Sequence, residues 1–257
     1  MDKLFSFLIT PMLNLLMLIY ALLPGNDFGI AVIIVTIIIR LILWPLNSKQ
    51  LHSQKKLRTL QPKIQKIKKQ AKGDRQKECA LLAQLYKDEE VNPAGSCLMA
   101  IVQLPFMTSL YFVFQKSSKD FGDVFNSLYG FLQNNQFILD LKNNPSLYDP
   151  SLLGFIHLTK PSIVLAVLAG LGQFIQTRML QANQSKDRSK DKKRQPNPQE
   201  DMMKGMTYAF PLFTIFIGSR LPAALSLYWL VSTIVSIIQQ HLVLNKEVKK
   251  MEGGDNE

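Results

Sequence analysis

The chain has 257 residues, 47% of them hydrophobic, and a formal net charge of +11. Its apolar residues gather in runs of about 20 with almost no charge, long enough to cross a ~30 Å hydrocarbon core, while its lysines gather between them. This distribution excludes a soluble domain built around one large core and predicts an all-α polytopic membrane protein.

Residues 1–24 contain the apolar run LFSFLITPMLNLLMLIYALL, in which Ser6, Thr10 and Asn14 recur every four residues as one narrow polar stripe, with Pro11 interrupting the middle. The pattern favours an N-terminal interfacial helix over a sixth span. A signal peptide is weaker still, because no small-x-small cleavage site follows the run. Pro24 to Asp27 form a turn. Residues 25–47 are the first span.

Residues 48–92 carry 12 Lys/Arg against five acids. Leu57, Leu60, Ile64, Ile67 and Ala71 repeat with 3-4-3-4 spacing, and Cys79, Leu82 and Tyr86 continue a seam beyond the turn at Gly73-Asp74. The expectation is a cytosolic helical hairpin, either a solvated spacer or a docking arm.

The second span is 93–115. Residues 116–159 hold only three Lys/Arg and read as an extracytoplasmic loop whose Phe121, Phe125, Tyr129, Phe131 and Phe137 rest in the membrane interface as short helices. The third span is 160–180. Residues 181–204, with seven Lys/Arg, read as a cytosolic loop without packed structure. The fourth and fifth spans, 205–221 and 222–244, are joined by a very short turn, and 245–257 is a polar cytosolic tail. Basic counts of 12, three and seven alternate as five spans require, with the N-terminus outside and the C-terminus inside. The charge reads either as topology alone or as topology plus an anionic partner, such as ribosomal RNA or lipid headgroups.

Arg40 stands out because it lies inside the apolar run 28–46. An arginine there costs roughly 2.5–3.5 kcal/mol on insertion scales, so such residues mark sites where something polar passes. No Asp or Glu lies within the apolar runs to pair with it. The remaining readings are a wet cavity open to the cytosol, or snorkelling of the guanidinium to the cytoplasmic headgroups. Thr36 shares its helix face, which Gly29 and Ile33 continue toward the outside. Gln103, two residues before Pro105, and Tyr228 and Trp229 are further candidates for the lining of one hydrophilic groove; Gln173, Gln176, Ser226 and Ser232 are secondary ones. Taken singly, each is more often a helix–helix hydrogen bond.

Cys79 and Cys97 form no CxxC and have no paired His, so no metal site is expected. No nucleotide-binding or catalytic signature is present, and neither a catalytic residue nor a cofactor is expected.

Four stretches resemble the YidC/Oxa/Alb family of membrane protein insertases. FGIAVIIVTIIIRLILWPLNSKQ at 28–50 looks like that family's Arg-bearing first core helix, and LQPKIQKIKKQ at 60–70 is similar to its cytosolic hairpin. YKDEEVNPAGSCLMAIVQLPF at 86–106 and FPLFTIFIGSRLPAALSLYWLVSTIVSIIQQHLV at 210–243 match its second core helix and its paired final helices. The resemblance implies a five-helix core around a hydrophilic groove open to the cytosol and to lipid, with Arg40 as the groove arginine and Thr36, Gln103 and Trp229 beside it. The sequence departs from the family's Gram-negative type, with no large periplasmic domain or preceding signal-anchor span, and from many Gram-positive members, with no lipoprotein cysteine, so the short form is expected. The resemblance further implies insertion and folding of integral membrane proteins without ATP hydrolysis, and no enzymatic activity. The implied partners are nascent membrane proteins, membrane lipids, the ribosome and the Sec translocon, with the signal recognition particle and its receptor as further candidates and no DNA. The site in a bacterial plasma membrane follows. The rival readings are a small-molecule or anion transporter using Arg40 as an anion site, and a membrane assembly scaffold.

Overall fold

The computed structural model describes residues 3–91, 104–113, 121–185 and 198–253. They are mainly helical, as an all-α chain requires, with one small β-hairpin that the sequence reading lacked. They divide into two compact units: residues 1–42 with 104–238, and residues 43–103 with 239–257.

In the first unit, α1 (Lys3–Leu22) is continuous through Pro11. A mid-helix proline costs ~3 kcal/mol, and packing offsets it here: Leu13, Leu16, Met17 and Tyr20 of the following turns are buried. Asn14 is buried too. Its amide donates to the Thr10 and Ser127 carbonyls at 2.8 and 3.3 Å, and its carbonyl accepts the Tyr129 N–H at 2.6 Å.

Helix α2 (Phe28–Ile42) begins where Asp27 accepts the Ile30 N–H at 2.8 Å, an N-terminal cap. It stops before the sequence reading's end of the first span, because Pro45 cannot continue the ladder without meeting the carbonyl of Leu41. Its 15 residues rise ~22 Å. Helix α6 (Leu104–Val113) buries Phe106, Leu110 and Val113. Ser109 of α6 donates to the Ile9 carbonyl of α1 at 3.1 Å.

Three short helices follow: α7 (Gly122–Asn126), α8 (Gly130–Gln133) and α9 (Gln136–Asn143). Phe121 and Phe125 are buried and Phe137 packs on the core, so of the five aromatics expected in the membrane interface only Tyr129 and Phe131 are exposed. Tyr20 makes edge contacts with Phe28, Phe137 and Tyr148 at 5.1, 5.3 and 6.1 Å between ring centroids. Strands β1 (Ser151–Leu152) and β2 (Ile156–His157) pair antiparallel.

Helices α10 (Ile163–Ser185), α11 (Pro198–Gly218) and α12 (Ala223–Gly253) complete the chain. Small residues let them approach. A Cβ on Gly170 would lie 2.4 Å from Ile215 Cγ1, and one on Gly218 would lie 2.8 Å from Ser226 Oγ and 3.0 Å from Ala166 Cβ. The first two amides of α12 donate to the carbonyls of Lys160 and Leu158 at 3.0 and 3.1 Å, filling donors a helix start leaves orphaned.

Part of the stretch 181–204 that reads as loop is helix, since α10 reaches Ser185 and α11 starts at Pro198; residues 186–197 lie outside the described residues. Likewise α12 runs on through the expected tail to Gly253, because residues 245–252 contain good helix formers and neither Gly nor Pro.

Among the described residues, Ala223–Val243 of α12 is a single helix long and apolar enough to cross a membrane; Phe28–Ile42 with Trp44–Ser53 passes the same test as a broken pair. Leu104–Val113, Ile163–Met179 and Thr207–Gly218 are shorter apolar helices.

The second unit contains α3 (Trp44–Thr59), α4 (Gln61–Ala71) and α5 (Arg75–Asp88). The expected seam is cut at Leu60, because Pro62 cannot donate to the preceding turn and opens a new helix. Leu60, Ile64 and Val91 form a small core with Leu57, Leu82, Leu85 and Tyr86. Cys79, read as part of that seam, is exposed. Asp74 caps α5 by accepting from the amides of Gln76 and Lys77 at 3.0 and 3.2 Å. Elsewhere in this unit, Gln239 donates to the Trp44 carbonyl at 2.8 Å and to Ser48 Oγ at 3.1 Å.

Candidate functional site

The side chain of Arg40 meets α12. Its Nε donates to Ser232 Oγ at 2.7 Å, joining residues 192 apart in sequence. Among the described residues no carboxylate pairs with Arg40, so the guanidinium charge is matched only by a neutral hydroxyl. Among the described residues, four of its five N–H donors have no hydrogen-bond acceptor. Tyr228 precedes Ser232 by one helical turn on the same face of α12 and is buried. Phe106 of α6 packs on the Tyr228 ring at 4.7 Å between centroids. The arginine thus sits where α2 meets α12, half-buried, and Phe106 of α6 packs on the tyrosine one turn before its serine partner.

The other candidates fall in different surroundings. Thr36 is fully buried, and its hydroxyl donates to the Val32 carbonyl of its own helix at 2.6 Å. Trp229 is partly buried against the core. Gln173 and Gln176 are half-buried on α10, next to Gly172, where an added Cβ would lie 3.2 Å from Thr233 Cγ2 of α12. Ser226 is buried and donates to the Gly218 carbonyl at 3.3 Å, so it belongs to the turn between α11 and α12 rather than to the arginine. Gln103 lies outside the described residues.

Sequence reasoning missed Phe106. The available signal was its place directly after Pro105, three residues on from Gln103. It also missed Gln239, whose bonds to Trp44 and Ser48 organise the second unit; an amide pair, Gln239-Gln240, inside an otherwise apolar run was the sign.

The surface of the first unit is strongly apolar. Ile163, Val164, Leu168, Leu171 and Ile175 of α10 are exposed, as are Leu212, Phe213 and Phe216 of α11. Rows of this size are unusual on a protein bathed in water and suit a hydrocarbon surround.

The model of the 60Kd inner membrane protein family matches residues 19–251. A protein named membrane protein insertase YidC from Fusobacterium nucleatum is 33% identical over 221 residues, covering 86% of this chain and 88% of that one. Its namesake from Clostridium tetani is 33% identical over 232 residues, covering 90% and 88%. The namesake from Francisella tularensis subsp. novicida is 31% identical over 224 residues, which are 86% of this chain but 33% of that longer one. The family match runs from the end of α1 into the end of α12 and takes in both Arg40 and Ser232, and by it the chain belongs to the 60Kd inner membrane protein family, that of the YidC membrane protein insertases.

Proposed function

We propose that this chain is a membrane protein insertase and assembly chaperone, working through a hydrophilic groove centred on Arg40. The observation that carries the reading is the Arg40–Ser232 contact: a cation inside an apolar bundle, held by a neutral hydroxyl, with most of its donors bound by none of the described residues. The names of its relatives support the same function.

In this mechanism the bundle has five spans, with the N-terminus outside and the C-terminus and the α3–α5 hairpin in the cytosol. A substrate's hydrophilic segment enters the groove from the cytosol. Its acidic residues are drawn to Arg40, where Coulomb attraction exceeds its value in water. Tyr228 and Ser232 hold the guanidinium in place, while Thr36, Gln103, Trp229, Gln173 and Gln176 line the path. The substrate's apolar segment moves along the exposed face of α11 into lipid. The short apolar stretch Thr207–Gly218 favours a locally thinned bilayer there. Hydrophobic transfer and the membrane potential supply the free energy, so no ATP is consumed. Nascent chains arrive from the ribosome, alone or beside the Sec translocon, with the signal recognition particle and its receptor as a delivery route. The basic hairpin is the docking arm.

The test is insertion of a single-span, acidic-tailed substrate into proteoliposomes. Wild type inserts it, and Arg40→Glu lowers the yield at least about fivefold, because attraction becomes repulsion at the same distance. Equal yields from the two proteins overturn the groove-charge mechanism. Failure of both, with the protein folded, overturns the insertase reading.

A further inference from the structure

The β-hairpin carries apolar residues where a water-exposed turn carries polar ones. Leu153 and Phe155, flanking Gly154 at its tip, are 62% and 89% exposed. Leu153 also adopts a left-handed backbone, φ 51°, a conformation that a side chain with a Cβ seldom takes. The tip is nevertheless fixed in place. The Leu153 N–H donates to the second carboxylate oxygen of Asp27, the residue whose first oxygen caps α2. Leu152 lies against Gly29, with its Cα only 2.8 Å from where a Cβ would stand. Beyond β2, Leu158 and Lys160 accept from the first amides of α12, and α10 starts at Ile163. The turn is therefore bolted to the starting ends of three apolar helices.

Two exposed cations share this end. Lys160 is one, and Arg220, three residues before α12, is the other, with its guanidinium 4.1 Å from the Phe216 ring centroid. An apolar tip on an end that also carries two exposed cations, one of them lying on an aromatic ring, is the composition of a bilayer interface, where cations reach lipid phosphates.

We propose that the Leu153–Phe155 turn inserts into the headgroup–acyl boundary of the bilayer, at the end of the bundle where α2, α10 and α12 begin. Its occupant is lipid, continuous with the apolar rows exposed on α10 and α11. Through Asp27 the turn fixes the depth of the start of α2, and hence of Arg40, about three and a third turns along that helix. The inference rests on the membrane placement of the bundle and not on the groove mechanism.

The test uses the full chain with Cys79→Ser and Cys97→Ser, one new cysteine labelled with the fluorophore NBD, and phosphatidylcholine/phosphatidylglycerol vesicles. With Phe155→Cys, the emission is expected to shift to the blue of NBD-cysteine in buffer. Lipids with a nitroxide near the headgroup should quench it at least twofold more than lipids with a nitroxide deep in the chain, and more than aqueous iodide. Quenching by iodide as strong as that of the free dye overturns the proposal. So does a blue shift that neither kind of nitroxide lipid quenches, which places the tip against protein. Leu212→Cys on α11 is the control: deep-nitroxide quenching there keeps the membrane placement standing whatever the tip does, and its absence would show that the placement itself is wrong.

Discussion

Arg40 and Ser232 are joined by one hydrogen bond of 2.7 Å, from Nε to Oγ, and the serine brings no charge to the pair. An insertase that relies on a free positive charge requires this neutrality. Ser232→Asp should therefore be as damaging as reversing the arginine. It gives Arg40 a permanent carboxylate, and a charge-assisted pair at this distance competes directly with a substrate's acidic residues. Insertion of an acidic-tailed substrate is expected to fall at least about fivefold in Ser232→Asp. Ser232→Ala keeps the charge free and loses one hydrogen bond to a charged group, worth ~1.5–3 kcal/mol of stability and not of substrate attraction, so its yield should stay within about threefold of wild type. Equal behaviour of the two variants would mean that the serine acts by shape and not by charge.

The packing of α2 on the β-hairpin makes a second prediction. A Cβ at position 29 would lie 2.6 Å from Leu152 Cβ and 2.8 Å from its Cα. Backbone cannot yield as a flexible side-chain tip can, so Gly29→Ala should cost ~1–3 kcal/mol as an overpacked site. Gly205→Ala is the matched control: the space around it is open and it sits within α11, where alanine is favoured over glycine by up to ~1 kcal/mol. Thermal unfolding in detergent should show a lower midpoint for the first and an unchanged or higher one for the second.

The Asn14 carboxamide ties α1 to the segment after α7 through the Ser127 carbonyl and the Tyr129 N–H. Asn14→Ala strands a backbone donor and an acceptor in partly buried surroundings, so a loss of ~2 kcal/mol is expected. Thr10→Ala should be nearly silent by comparison, because Asn14 uses the carbonyl of that residue and not its side chain. The same unfolding measurement distinguishes the two; a silent Asn14→Ala would mean that water replaces the amide at no cost.

These sites show which parts of the fold could be read in advance. Long apolar runs announce α2, α10 and α12 because composition alone separates lipid-compatible helix from loop. Pro45 and Pro62 mark where the ladder must stop, yet the apolar and heptad patterns run across both and hide those stops. Gly29 and Gly170 carry no signal of their own, since the need for a bare Cα depends on which neighbour arrives. The same limit applies to the serines of α12. Ser226 and Ser232 are six residues apart, which turns them roughly 120° from each other around the helix, so one faces the turn with α11 and the other faces Arg40. Tyr228 and Ser232, four apart, share a face, and that relation was legible once either was known to meet the arginine. The aromatics of 121–137 divide between core and surface for a related reason: which of them pack depends on where α1 and α9 come to rest.

The hairpin of the second unit separates a packed contact from a surface one. Ile64 is 3% exposed between Leu60 and Val91, while Lys63, its neighbour on α4, forms an ion pair with Glu89 whose side chains are 60% and 34% exposed. Truncating the first leaves a cavity in a core of only a few residues, a loss of ~2–5 kcal/mol. Truncating the second removes a solvent-screened pair worth less than ~1 kcal/mol. Hydrogen exchange read by mass spectrometry should report the difference locally. Ile64→Ala should speed exchange throughout α4 and α5 by more than tenfold and leave the peptides of α10 and α11 unchanged, because the hairpin core shares no buried residue with theirs. Lys63→Ala should change exchange less than about fivefold, and raising the salt concentration should shrink even that difference, since screening weakens the pair already in the wild type. If both variants accelerate exchange equally, the hairpin is held by its charges and not by Leu60, Ile64 and Val91.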